Sequence, residues 1–121
     1  MKKIIYLLII HTIIIGCINE KQMASFEVYN GTYNNVSDIT ISNGVNDIYI
    51  DTIMPNMTKS VKLNFLNVPK LDGGYKLSYK LNSEEFFKNF GYYSNGIPSA
   101  SVEYKIKIMQ DTIQIKEVFK K

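Results

Sequence analysis

The 121-residue chain contains no arginine and no tryptophan, a single cysteine, Cys17, and a single histidine, His11. Beyond residue 16 there is no histidine at all. A Ser-His-Asp or Cys-His arrangement needs an imidazole to move the proton, so neither can be built in that part of the chain. Zinc sites made from His and Cys are excluded there for want of ligands. Nucleic-acid binding needs clustered positive charge, usually with arginine. All 14 basic residues are lysine, and removing Lys2 and Lys3 leaves 12 lysines against 11 acids. No nucleic-acid partner, metal or cofactor is expected. Lysine without arginine goes with an abundance of Ile, Asn and Tyr, all residues with AT-rich codons, and says little about partners.

What is present begins with an address. Residues 1–17 read MKKIIYLLIIHTIIIGC. Two lysines precede an apolar run from Ile4 to Ile15 broken only by His11 and Thr12. A short positive segment followed by about 7–15 apolar residues is the pattern of an export signal, here residues 1–16 as a signal-peptide helix. A permanent membrane span needs about 20 apolar residues. Asn19-Glu20-Lys21 ends the run before that length.

Ile14-Ile15-Gly16-Cys17 resembles the lipobox of bacterial lipoproteins. The resemblance implies that the Cys17 thiol takes a diacylglyceryl group. It also implies cleavage between Gly16 and Cys17 by a peptidase that recognises Ile14, Ile15 and Gly16. Each buried methylene contributes about 0.8 kcal/mol, and stable anchoring takes two chains, the number a diacylglyceryl group supplies. Residues 17–24 are then a lipidated tether, whose Ile18–Ala24 part reaches at most about 23–25 Å. The resemblance thus implies the membrane as a partner through Cys17. Ile18 stands where the resemblance places an aspartate retention signal, which implies the outer membrane in a cell that has one.

From Ser25 onward the apolar residues alternate with a period of two, which argues strands. Phe26 and Val28, Ile39 and Ile41, Ile48 and Ile50, and Val61, Leu63 and Phe65 form the first inward sets. Tyr75, Leu77, Tyr79 and Leu81, then Val102, Tyr104, Ile106 and Ile108, then Ile113 and Ile115 continue them. Asn30-Gly31, Asn43-Gly44, Asp72-Gly73-Gly74 and Asn95-Gly96 punctuate these runs with residues tolerant of positive φ. Val102–Met109 and Thr112–Val118 read as a terminal hairpin. About seven or eight short strands at this spacing predict an all-β, immunoglobulin-like antiparallel sandwich over residues 25–121. Asp72-Gly73-Gly74-Tyr75 followed by Phe90-Gly91-Tyr92-Tyr93-Ser94-Asn95-Gly96 and a last hairpin is similar to a group of short bacterial lipoproteins. That resemblance implies the same sandwich and brings no activity with it.

Few residues suit chemistry. Glu84-Glu85 are adjacent carboxylates, but strand neighbours point to opposite faces, and Asn82–Glu85 reads as a polar loop. Asp38, Asp47 and Asp51 lack the spacing of an EF-hand calcium loop. Asn30, Asn35 and Asn56 head glycosylation-like triplets, as chance provides in an asparagine-rich chain. The densest feature is Phe86–Tyr93, with five aromatics in eight residues. Simple alternation puts Phe86, Phe90 and Tyr92 on one face and Phe87 and Tyr93 on the other. Tyr92 and Tyr93 are the candidate binding surface, with Tyr93 the one expected in solvent. These features describe an exported, lipid-anchored, non-enzymatic sandwich that binds a protein or glycan or serves as structure. The alternatives are a carbohydrate-binding accessory using surface tyrosines, a lipid-anchored inhibitor or immunity protein, and a carboxylate-based hydrolase.

Overall fold

The alternating apolar residues build eight strands in the structure, a computed structural model that describes residues 22–120. They are β1 (Met23–Asn30), β2 (Val36–Ser42), β3 (Asp47–Ile53), β4 (Thr58–Asn64), β5 (Gly73–Leu81), β6 (Glu84–Tyr93), β7 (Val102–Ile108) and β8 (Ile113–Phe119). Two four-stranded sheets form, in the orders β4-β1-β7-β8 and β3-β2-β5-β6. The inward sets read from the sequence are buried or half-buried between them, and the fold is an all-β sandwich, immunoglobulin-like in its two-sheet architecture but not in its strand order. The antiparallel expectation needs one correction, because β1 runs parallel to β7. Parallel neighbours require a long connection rather than a hairpin, and five strands intervene here.

The start of the domain also differs from expectation. Met23 and Ala24 are not tether: they begin β1, opposite Asn64 and Leu63. Ala24 is buried, and the Gln22 carbonyl accepts the Phe65 N–H at 3.1 Å. The signal segment, Cys17 and residues 18–21 of the tether lie outside the described residues.

The core divides along the strands. At the end where the chain enters, Phe26, Phe65, Tyr75, Phe90, Tyr93 and Tyr104 pack as an aromatic cluster with ring centroids 5.0–6.1 Å apart. Edge-to-face and offset rings suit the aromatic quadrupole. At the far end Val36, Ile39, Ile53, Leu81 and Ile108 fill the space with aliphatic side chains. A core without tryptophan gets its bulk from this cluster.

Turn chemistry is partly as read and partly different. Gly44, Asn95 and Gly96 take positive φ as expected. Asn82-Ser83, both at positive φ, form a two-residue hairpin turn, so Glu84 and Glu85 belong to β6 instead of a loop. Asn30-Gly31 is not a positive-φ turn. Asn30 is fully buried, its amide donating to the carbonyls of Asn34 and Ile53 while its Oδ1 accepts from Thr32. Asp72-Gly73-Gly74 is not such a turn either. Both glycines lie in β5, where a Cβ on Gly73 would collide with the Tyr93 ring and one on Gly74 would stand 2.9 Å from the Gly91 carbonyl.

Candidate functional site

The structure parts the two tyrosines that the sequence paired. Tyr92 is 58% exposed and Tyr93 only 8%. Tyr93, expected in solvent, is a core residue. Its ring meets Phe65 edge-on at 5.0 Å, and its hydroxyl donates to the Asn43 carbonyl at 3.2 Å.

The reason is one residue. Tyr75 pairs with Phe90 and Gly73 with Tyr93, so Gly74 faces both Gly91 and Tyr92. This is a β-bulge with Gly91 at φ +69°, and an extra residue inverts the alternation beyond it. Tyr93 thereby joins the inward face of Phe90, and Tyr92 turns out. The bulge takes Tyr92's backbone out of the ladder, and Tyr104 of the facing sheet compensates. Its hydroxyl accepts the Tyr92 N–H at 3.2 Å and donates to the Tyr92 carbonyl at 3.4 Å. Burial pushes that hydroxyl's pKa up.

Tyr92 is tied to the surface rather than free. Its hydroxyl donates to Asp72 Oδ2 at 2.8 Å, and the Asn95 N–H donates to Asp72 Oδ1 at 3.0 Å. The Asn95 N–H first, and the Tyr92 hydroxyl second, hold the Asp72 carboxyl below its ordinary value of 3.8. A lowered carboxylate pKa means the clip is at full strength above the unfolded value and is lost as pH falls through the folded one. An NMR titration should therefore show the Asn95 amide losing its hydrogen-bonded shift and exchange protection only below about pH 3.8. A midpoint above that value would contradict the clip.

The outer face of the β3-β2-β5-β6 sheet holds what sequence reasoning missed. Tyr49 pairs with Thr40, Thr40 with Ser78, and Ser78 with Phe87. One cross-strand row thus carries an exposed aromatic at each edge and two hydroxyls between. Three strand spacings make the row about 14 Å long. Tyr49 is fixed by hydrogen bonds to Asp38 and, at 3.5 Å, Asp51. The Asp38 bond lifts the Tyr49 phenol to about 12. The same bond, with Lys80 at 3.4 Å, keeps the Asp38 carboxyl low. Lys76 Nζ lies 4.7 Å from the Phe87 ring centroid. Beside the row is an open depression of about 510 Å³, lined by Ser42, Asn43, Gly74, Lys76, Asn89 and Gly91 among others. Outward positions were legible from alternation; their alignment across strands was not.

The remaining candidates are placed as follows. Cys17, Ile14, Ile15 and Gly16 lie outside the described residues. Glu84 pairs with Leu81 on the inward phase and Glu85 with Lys80 on the outward one, so the two carboxylates do not converge. Asp38 is engaged by Tyr49 and Lys80, and no group of three or more potential metal ligands occurs among the described residues. Among these residues no helix is long and apolar enough to cross a membrane.

The sandwich is similar to the NMR structure of a protein from Eubacterium rectale, with TM-score 0.56 and 15% identity over 84% of this chain and 93% of that one. A crystal structure of a candidate cell adhesion protein from Bacteroides ovatus matches at TM-score 0.47 and 11% identity, over 80% of this chain and 44% of that one. This chain therefore spans less than half of the second protein's length. Likeness at these identities shows the fold alone. No family model and no curated protein matches the chain.

Proposed function

We propose that the chain is a lipid-anchored, non-enzymatic binding module of the bacterial cell envelope, whose outer β3-β2-β5-β6 face takes a glycan. The observation that carries the ligand class is the Tyr49–Thr40–Ser78–Phe87 row. Aromatic rings offer apolar faces to the C–H side of a sugar, and the hydroxyls between them exchange hydrogen bonds with its hydroxyls. The Tyr92/Tyr93 platform is set aside, because Tyr93 is buried. The anchor reading rests on the Ile14–Cys17 resemblance and is supported by a domain that begins at Met23, close behind Cys17. The outer membrane is the expected destination in a cell that has one. The divergence of Glu84 and Glu85 supports a role without carboxylate catalysis.

A second reading has its own observation. At the end opposite the chain's entry, Tyr33 is 88% exposed, and Met54 and Met57 are also exposed. Aromatic and methionine side chains are enriched at protein interfaces, so that end suits a protein partner and a lipid-anchored inhibitor.

Two tests separate these statements. Cys17→Ser should move the protein from the membrane fraction to a soluble or unprocessed form, and the intact mass of the wild type should show loss of residues 1–16 and gain of lipid. A wild-type mass retaining residues 1–16 without lipid would end the anchor reading. On a panel of envelope polysaccharides, Tyr49→Ala and Phe87→Ala should each weaken binding about tenfold, the order of one aromatic contact. Binding unchanged in both, but abolished by Tyr33→Ala, would transfer the function to the far end.

A further inference from the structure

The exposed aliphatic side chains are not scattered. Among the described residues the large, exposed Val, Leu and Ile side chains are Val45, Leu66, Leu71 and Ile97. All four lie on the connections at the end where the chain enters: β2 to β3, β4 to β5, and β6 to β7. Phe119, exposed at the last position of β8, ends there too. Single exposed apolar residues are ordinary, whereas several gathered at one end mark an interaction surface.

These loops form one rim. Asn46 Nδ2 donates to the Leu66 carbonyl at 2.9 Å, and Asn43 Nδ2 to the Asn64 carbonyl at 3.0 Å, joining the Val45 turn to the Leu66 segment. The Gly96 N–H donates to the Leu71 carbonyl at 2.8 Å, and the Asp72 clip holds Asn95, so Leu71 and Ile97 are joined as well. Leu66, Ile97 and Lys70 line one groove together with Gln22, the residue from which the chain leaves for Cys17. From Gln22 to Cys17 the chain reaches at most about 18 Å.

We propose that this rim is a membrane-docking face, with Val45, Leu66, Leu71 and Ile97 resting in the interfacial layer of the bilayer that holds the Cys17 lipid. The inference rests on the lipid-anchor reading for its occupant. A short tether keeps the rim at a high effective concentration against the membrane. Apolar contacts too weak to recruit a free protein are then enough to orient a tethered one. Charge at this end is mixed: among the described residues Lys62, Lys70 and Lys120 are balanced by Asp47, Asp72 and Glu103, with Lys120 already 3.9 Å from Glu103. The contact is therefore apolar and not an attraction to anionic lipid. Docked this way, the domain stands on its end, with its strands away from the surface and both outer sheet faces open to ligands.

The chain has no tryptophan, so each introduced indole is a unique reporter. Full-length protein carrying Leu66→Trp, Ile97→Trp or, at the far end, Tyr33→Trp is reconstituted in phosphatidylcholine vesicles with brominated acyl chains. Quenching of at least twofold is expected at positions 66 and 97 and none at 33, unchanged in 1 M salt. Equal quenching at both ends, none anywhere, or loss in high salt overturns the proposal. A rim that pairs with a second copy would also escape the bromines and count against it. Intact mass reports separately whether Cys17 carries lipid. If it does not, the anchor reading fails by itself, and the rim is tested with the same variants coupled through Cys17, the chain's only thiol, to a maleimide phospholipid in those vesicles.

Discussion

Tyr93→Ala should destabilise the domain by about 3–5 kcal/mol, the usual cost of deleting a buried aromatic, and lower its melting temperature by more than about 12 °C. The ring fills the space that Gly73 leaves open, contacts Phe65 and Tyr75, and anchors the β2–β3 turn through the Asn43 carbonyl. Such a loss is a large part of the roughly 5–15 kcal/mol that holds a typical domain together. Tyr93→Phe should cost only about 0.5–1.5 kcal/mol, because it removes the hydrogen bond and keeps the ring. Tyr92→Ala should have a far smaller effect than Tyr93→Ala, since its side chain is exposed and touches the fold through the Asp72 clip. Thermal and urea denaturation of the three variants decides the matter. Equal losses at 92 and 93 would show that the bulge does not invert the strand.

Gly91→Ala should be the other severe substitution. Left-handed backbone costs a residue with a Cβ about 1–2 kcal/mol, and Gly91 sits at φ +69°. The new methyl would also stand 2.7 Å from Tyr75 Cδ2 and 3.0 Å from the Tyr104 ring and hydroxyl. Overpacking of that kind adds about 1–3 kcal/mol, for a total of about 2–5 kcal/mol. Neither aromatic can easily yield, because both belong to the packed cluster and Tyr104 also holds the Tyr92 backbone. Gly44→Ala is the control: it too has positive φ, at +94°, but nothing lies within 4 Å of its Cβ position. It should show the backbone term alone. Denaturation curves that coincide for the two variants would mean the contacts around Gly91 contribute nothing.

The inward residues of β1, β4, β5 and β7 could be read directly. Phe26, Leu63, Leu77 and Ile106 obey a period of two that depends only on neighbouring residues and on a face needing to leave water. Asn43-Gly44 and Asn95-Gly96 were legible as turns for the same local reason. Tyr93 departs from simple alternation because the strand is not regular at Gly91. The signals were present in Gly73, Gly74 and Gly91, and the first two invited a turn reading. Their use is close approach: Gly73 makes room for the Tyr93 ring, Gly74 for the Gly91 carbonyl, and Gly91 for the Tyr75 and Tyr104 rings. Asn30 went the same way, since a side chain that satisfies buried backbone looks, in sequence, like one that favours a turn.

The sequence by itself determined most of the strand positions, most of the core and the expectation of an export signal over residues 1–16, because alternation, turn residues and apolar length are local properties. The tertiary structure decided the rest: the parallel pairing of β1 with β7, the phase of β6 beyond its bulge, the Tyr49–Phe87 row and the gathering of Val45, Leu66, Leu71 and Ile97 at one end. Each depends on register between strands distant in the chain. Register is set by which faces can be buried together, and a single extra residue reverses it.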